Sequence, residues 1–286
     1  MGTRSWLNLV LLLVVLALAA LVYFEPGKQP QETVLLTTLN PDTVQQIRIE
    51  RPDKEPLVFQ REGDGWRLLE PVAAAAKPFY VDQVLALLKQ ESLQRYPAQG
   101  LDLNKYGLQQ PRARLIVDGV ELSFGRINPL NSRLYVMVDD VMHMVAQNDI
   151  SILTDDWTDY VSTALLPDND LAMLEIPGLG KLEHGKDGWR FDGFMAPASE
   201  DQVQALVDAW RNAKALLVRP AVESGTAEKI SVLLRSGTKI EFGVYKTEDA
   251  LVLQRPELGI EYVFDASQSG RLLQWPALAG AEDVHE

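Results

Sequence analysis

The sequence predicts an α+β protein: an N-terminal transmembrane helix, then two tandem repeats, each an antiparallel sheet with one amphipathic helix. Three observations carry this expectation. The chain opens on an apolar run from Leu7 to Phe24, broken only by Asn8. The tetrapeptide Asp64-Gly65-Trp66-Arg67 recurs intact as Asp187-Gly188-Trp189-Arg190. The remaining alternating segments come in adjacent pairs across turns, with no regular β–α–β order.

The opening run approaches the roughly 20 residues that cross a bilayer core as a helix. Trp6 and the Tyr23–Phe24 pair bracket it, as aromatic side chains do at the two interfaces. Arg4 is the only charged side chain before Glu25. The positive-inside bias therefore predicts a cytoplasmic N-terminus and a domain outside the cytoplasm. A cleaved signal peptide is the rival reading. Its candidate cleavage residues Ala17, Ala19 and Ala20 lie inside the run, however, and bulky Leu21 to Phe24 follow them. Residues 1–24 are thus expected to be cytoplasmic N-terminus and anchor. Residues 25–32, with Pro26, Gly27 and Pro30, are expected to be a linker.

The first repeat is expected over 33–148 and the second over 173–275, with a tail at 276–286. Each Asp-Gly-Trp-Arg copy suits a hairpin turn in which Asp-Gly supplies a positive φ. Some fifteen residues further on, Val81, Val84, Leu85 and Leu88 form an i, i+3, i+4, i+7 stripe. Val203, Leu206, Val207 and Trp210 form another. Both are helix faces laid on a core. Paired strands are predicted at Arg114–Asp118 with Glu121–Gly125, and at Lys229–Arg235 with Lys239–Gly243. Further pairs follow at Leu134–Val138 with Met142–Ala146, and at Ala250–Gln254 with Glu261–Phe264.

The net charge of -13 repels phosphate backbones, which excludes nucleic acid as a partner. The chain has no cysteine, so disulfides, thiolate metal sites and thiol catalysis are excluded together. The histidines His143, His184 and His285 are scattered, and no pair has the spacing of a helical metal site. There is no Gly-x-Ser-x-Gly elbow. Gly178-Leu179-Gly180-Lys181, Ser224-Gly225-Thr226 and Ser236-Gly237-Thr238 read as turns. No catalytic, cofactor-binding or metal-ligating residue is expected.

From Leu134 to Gly180 the chain has no Lys or Arg but many carboxylates, including Asp149, Asp155, Asp156, Asp159, Asp168 and Asp170. Two readings compete for this stretch, whose core is an acidic helical connector at 149–172. The carboxylates can cap or begin a helix around Trp157–Leu165, where the dipole favours them. Alternatively Asp155, Asp156 and Asp159 form a docking face for a basic partner. A calcium loop would need a glycine and closing glutamate that Asp168-Asn169-Asp170 lacks. Trp66 and Trp189, at matching places, are expected to be core residues, with a sugar-stacking platform as the alternative.

Several of these segments together resemble a known family. They are Ile47-Arg48-Ile49-Glu50-Arg51-Pro52, then Gly65-Trp66-Arg67-Leu68 with Pro71, then Tyr106-Gly107-Leu108-Gln109-Gln110-Pro111 and Leu165-Leu166-Pro167. With the membrane segment before them, they resemble the bacterial family called domain of unknown function 4340, over most of the chain after residue 33. The resemblance implies a single-span envelope protein with a repeated α+β domain, in a family some of whose members are associated with ABC-type transport and gliding-motility components. It implies no catalytic residues. The function expected is therefore non-catalytic binding or scaffolding of envelope proteins at the inner membrane. The alternative is a periplasmic small-ligand or glycan module with its site between the two repeats.

Overall fold

A computed structural model describes residues 3–23, 34–147, 150–168, 170–193, 199–222 and 228–275. Helix α1 (Thr3–Tyr23) has 21 residues. Its described side chains are Trp6, Asn8 and residues 10–20, and the large apolar ones among them are exposed. Among the described residues no helix is long and apolar enough to cross a membrane.

The strands follow from alternation. In β1 (Gln46–Arg51) Ile47 and Ile49 are wholly buried, whereas Arg48 and Glu50 lie half-buried on the other face. The first sheet adds β2 (Lys54–Glu62), β3 (Gly65–Glu70), β4 (Ala74–Ala75), β5 (Gln94–Pro97), β6 (Ala113–Val117), β7 (Val120–Ile127), β8 (Arg133–Val138) and β9 (Val141–Ala146). It is antiparallel, in the order β4-β3-β2-β1-β6-β7-β8-β9-β5. Helix α2 (Pro78–Ala86) enters after Lys77 with proline in its first turn and buries Val81, Val84 and Leu85. Helix α3 (Leu103–Tyr106) is a single turn.

The second sheet contains β10 (Leu171–Ile176), β11 (Gly180–Gly185), β12 (Gly188–Asp192), β13 (Leu217–Pro220), β14 (Glu228–Leu234), β15 (Lys239–Lys246), β16 (Ala250–Arg255) and β17 (Ile260–Asp265). Its order is β12-β11-β10-β14-β15-β16-β17-β13. Strand for strand this matches the first sheet without its two-residue edge β4. Registers match as well: Ile49 faces Leu57 and Leu115, and Leu174 faces Leu182 and Val232. Both sheets are antiparallel and the helices few, which is the α+β class expected. In the first hairpin the positive φ falls on Gly63 rather than on Gly65, because Glu62 and Gly65 close the turn as a pair.

Between the sheets runs α4 (Trp157–Tyr160), followed later by α5 (Glu200–Arg211) and α6 (Ser269–Leu272). In α5 Ser199 and Gln202 form a reciprocal capping box. Trp210, fully buried, donates its indole N–H to Leu272 O at 2.8 Å, tying α5 to α6.

The connector departs from expectation. A helix through Leu165 was predicted, but α4 is one turn. Val161, Ser162 and Thr163 have poor helix propensity, and their stretch of backbone finds partners on both sides. Ser162 N donates to Ala75 O at 2.8 Å, and Ala215 N donates to Thr163 O at 2.8 Å. Residues 161–164 form an extended seam that pairs with Ala76 on one side and Lys214 on the other. Asp156 does begin this turn from the N-cap position, with Asp159 in the turn itself, but without a side-chain cap bond. Asp149 and Asn169 fall outside the described residues.

Candidate functional site

A cleft of about 710 Å³ opens at one end of the first sheet. It lies between the β1–β2 turn and the segment Gln109–Arg112, with Pro52, Pro56 and Pro111 among its walls. The segment is fixed by the residues just before it. Asp102 caps α3 by accepting from Asn104 N at 3.3 Å, and Gly107 ends the turn in the left-handed region at φ 70°. A Cβ on Gly107 would meet Arg126 Cγ at 2.5 Å, and one on Gly125 would meet Tyr106 O at 2.4 Å. Two glycines thus let α3 lie directly on β7. Tyr106 packs edge-on against Tyr135 at 4.9 Å, and Leu108 is buried. The Tyr-Gly-Leu-x-x-Pro motif is therefore a wedge that delivers Gln109, Gln110 and Arg112 to the cleft.

Five cations line it (Arg48, Arg51, Lys54, Arg112 and Arg114), with Glu50 and Asp53. Arg48 and Arg114 share Glu50, at 2.9 and 3.9 Å. Lys54 Nζ bonds Asp156 at 2.7 Å and Thr154 O at 3.0 Å, and this pairing holds the Asp156 carboxyl below its usual range. Arg51 is different. It is only 9% exposed, and donates from Nη1 to Asp155 O at 2.7 Å and from Nη2 to Glu55 O at 2.5 Å. Its Nε has no partner, nor has the buried hydroxyl of Tyr160 nearby on the connector. Burial lowers the Arg51 pKa, and burial raises that of Tyr160. Among the described residues neither Arg51 nor Arg112 makes an ion pair with a carboxylate.

These residues were missed in the sequence, although a signal was present. Ile47, Ile49 and Arg51 share the inward phase of β1, so the alternation places an arginine where an apolar side chain belongs. The second sheet has the apolar residue: by register Met173, Ile176 and Ser231 stand where the first has Arg48, Arg51 and Arg114.

The two repeated tryptophans differ. Trp66 is 7% exposed, with the Arg61 guanidinium 4.6 Å above its ring. Trp189, expected in the core, is only half-buried. It meets His184 edge-on at 5.1 Å and Arg211 at 6.0 Å, in a cleft of about 490 Å³ that Asp187, Glu200 and Gln204 also line. The reason is the cross-strand partner, Arg61 for one and His184 for the other. Each of these clefts lies within one sheet unit and not between the two.

Of the expected docking carboxylates, Asp156 is exposed and paired with Lys54, while Asp155 and Asp159 are half-buried. The structure thus brings Asp155, through its carbonyl, and Asp156 to the rim of the basic cleft. His143, 7% exposed, has Nδ1 2.8 Å from Ser92 Oγ, and burial lowers its pKa. Neither residue lines a cleft described above, and β5 pairs with β9 at this point, so the bond clips the edge strand. Among the described residues no group of His, Asp and Glu could hold a metal ion. His285 lies outside the described residues.

Residues 66–223 match the family described as domain of unknown function (DUF4340). No curated protein and no solved structure matches the chain. The match covers more than half of the sequence, and the chain belongs to that family.

Proposed function

We propose that this is a single-pass protein of the bacterial inner membrane, with a cytoplasmic N-terminus and two copies of one α+β unit in the periplasm. It works by contact, binding or scaffolding other envelope proteins, within an ABC-type transport or cell-envelope assembly. The observation that carries the contact reading is the composition of the large cleft. Arginine stays protonated at any working pH, and proline and glutamine do not titrate, so these groups hold and orient rather than move protons. The anchor rests on the apolar run from Leu7 to Phe24 and on the exposed leucines of α1. The duplication rests on the matching strand orders and registers.

The test is retention in the membrane fraction after an alkaline carbonate wash, combined with a C-terminal reporter active only outside the cytoplasm. The reading expects retention and an active reporter. Release by the wash, or an inactive reporter, would overturn it.

A second reading has one observation in its favour. The half-exposed Trp189, beside Asp187, Glu200 and Gln204, offers an aromatic platform with polar groups, which suits a glycan. Quenching of Trp189 fluorescence by oligosaccharides, absent from a Trp189→Phe variant, would favour it.

A further inference from the structure

We propose that the cleft over Arg51 in the first unit binds an acidic peptide segment of a partner protein. This rests on the contact reading given above and names the chemistry of the ligand.

The argument starts with Arg51. A guanidinium buried to nine-tenths, with no carboxylate at bonding distance, is held at a cost in desolvation. The two carbonyls it reaches orient it but do not neutralise it. The second unit shows that the fold does not need this residue, because Ile176 fills the same register position and is buried as well. A charge retained against the demands of packing marks a site of use.

Arg112 is exposed at the mouth of the same cleft, also without a carboxylate, and is held there by the Gly107 wedge. The cleft lining therefore carries more positive than negative charge, five cations against Glu50 and Asp53, inside a chain of net charge -13. That contrast makes the attraction local, since the remaining surface repels an acidic partner.

The walls select among anions. Pro52, Pro56 and Pro111 present rigid apolar faces, and the side-chain amides of Gln109 and Gln110 can both donate to and accept from a main chain. Such a lining complements an extended peptide carrying carboxylates. A phosphate or a lipid headgroup would take only the donors of those amides and leave their carbonyls and the proline faces unused.

The test uses the full chain in detergent micelles and a fluorescein-labelled oligoglutamate peptide, read by anisotropy. Competitors are an oligoglutamine peptide, inorganic phosphate and phosphatidylglycerol vesicles. Saturable binding is expected, falling with salt and unaffected by oligoglutamine. Arg112→Gln, an exposed change, should weaken it about tenfold, and Arg51→Ile, which copies the second unit, by at least as much. Should Arg51→Ile fail to fold for want of its two carbonyl bonds, Arg112→Gln decides alone. No saturable binding, equal binding by Arg112→Gln, or displacement by vesicles or phosphate but no response to the Arg112 change would each overturn the proposal. Because the purified chain is titrated directly, a negative result leaves the anchored, contact-based reading standing.

Discussion

The two sheet units share strand order and register, yet they close the same places differently. In the first unit Arg61 lies over Trp66 and is itself fastened, donating to Val44 O at 2.6 Å and to Pro41 O at 3.0 Å. The segment before β1 is thereby drawn across the tryptophan and seals it. In the second unit the cross-strand partner is His184, too short to reach such a segment, and the ring stays half-open. The opposite holds at the other end. There the second unit has Met173, Ile176 and Ser231, while the first has three arginines and a cleft. One scaffold thus carries a closed tryptophan with an open charged cleft, and the other an open tryptophan without the arginines. What differs between units that fold alike is not required by folding, and this is where function should be sought.

The largest effect that would sharpen the contrast is at the tryptophans. Trp66→Ala should cost about 3–5 kcal/mol in chemical denaturation, as for large core aromatics. Trp189→Ala should cost roughly 1–2 kcal/mol, because part of its surface is already in water. Equal costs would mean that the two rings are equivalent despite their different partners.

The glycine wedge comes next. Gly107→Ala forces a side chain against the Arg126 backbone at a positive φ and should cost roughly 2–3 kcal/mol. Gly237→Ala, in a turn of the second unit with open space around it, carries only the φ penalty of about 1 kcal/mol. Denaturant midpoints of the two variants check this. A smaller loss at Gly107 would show that α3 can lift off β7 at little cost.

Smaller still is a difference in pH response. His143 in β9 is buried and its pKa is lowered below the ordinary 6.5, whereas Tyr262 holds the matching register in β17. The unfolded chain takes up a proton at His143 more readily than the folded one. Its stabilising contribution is complete above about pH 6.5 and is lost as pH falls towards the lowered folded value. His143→Gln should flatten that slope in stability measured across mildly acidic pH. An unchanged slope would assign it to other groups.

The connector carboxylates are expected to matter least for folding. Changing Asp155, Asp156 and Asp159 together to Asn removes the exposed Lys54–Asp156 pair and should shift stability by no more than about 1 kcal/mol. Unchanged partner recovery from that variant would remove the connector as a docking face.

Much of the fold was legible because period-two alternation and heptad-like stripes are local. The strand pairs from Arg114 to Phe264 and the helices at Asp82 and Asp201 lie where the pattern puts them. The connector was misread because Val161 to Thr163 are governed by distant backbone at Ala75 and Ala215. The opening of Trp189 was hidden for a similar reason, since the repeat motif is identical and only the opposing strand differs. The cleft was the least visible feature. It joins the β1–β2 turn to a loop some sixty residues further on, and its one local mark was an arginine on the inward phase of β1.

On the proposal above, the first unit, through its cleft, makes the contacts that the second does not. The most direct measurement compares two matched substitutions in the full chain, Arg112→Gln at the cleft and Lys229→Gln at the same register position within β14. Partners recovered by crosslinking from intact membranes are quantified against the unmodified protein. Arg112→Gln is expected to lower recovery several-fold while Lys229→Gln leaves it unchanged. Equal recovery from both variants, or equal loss from both, would contradict the proposal.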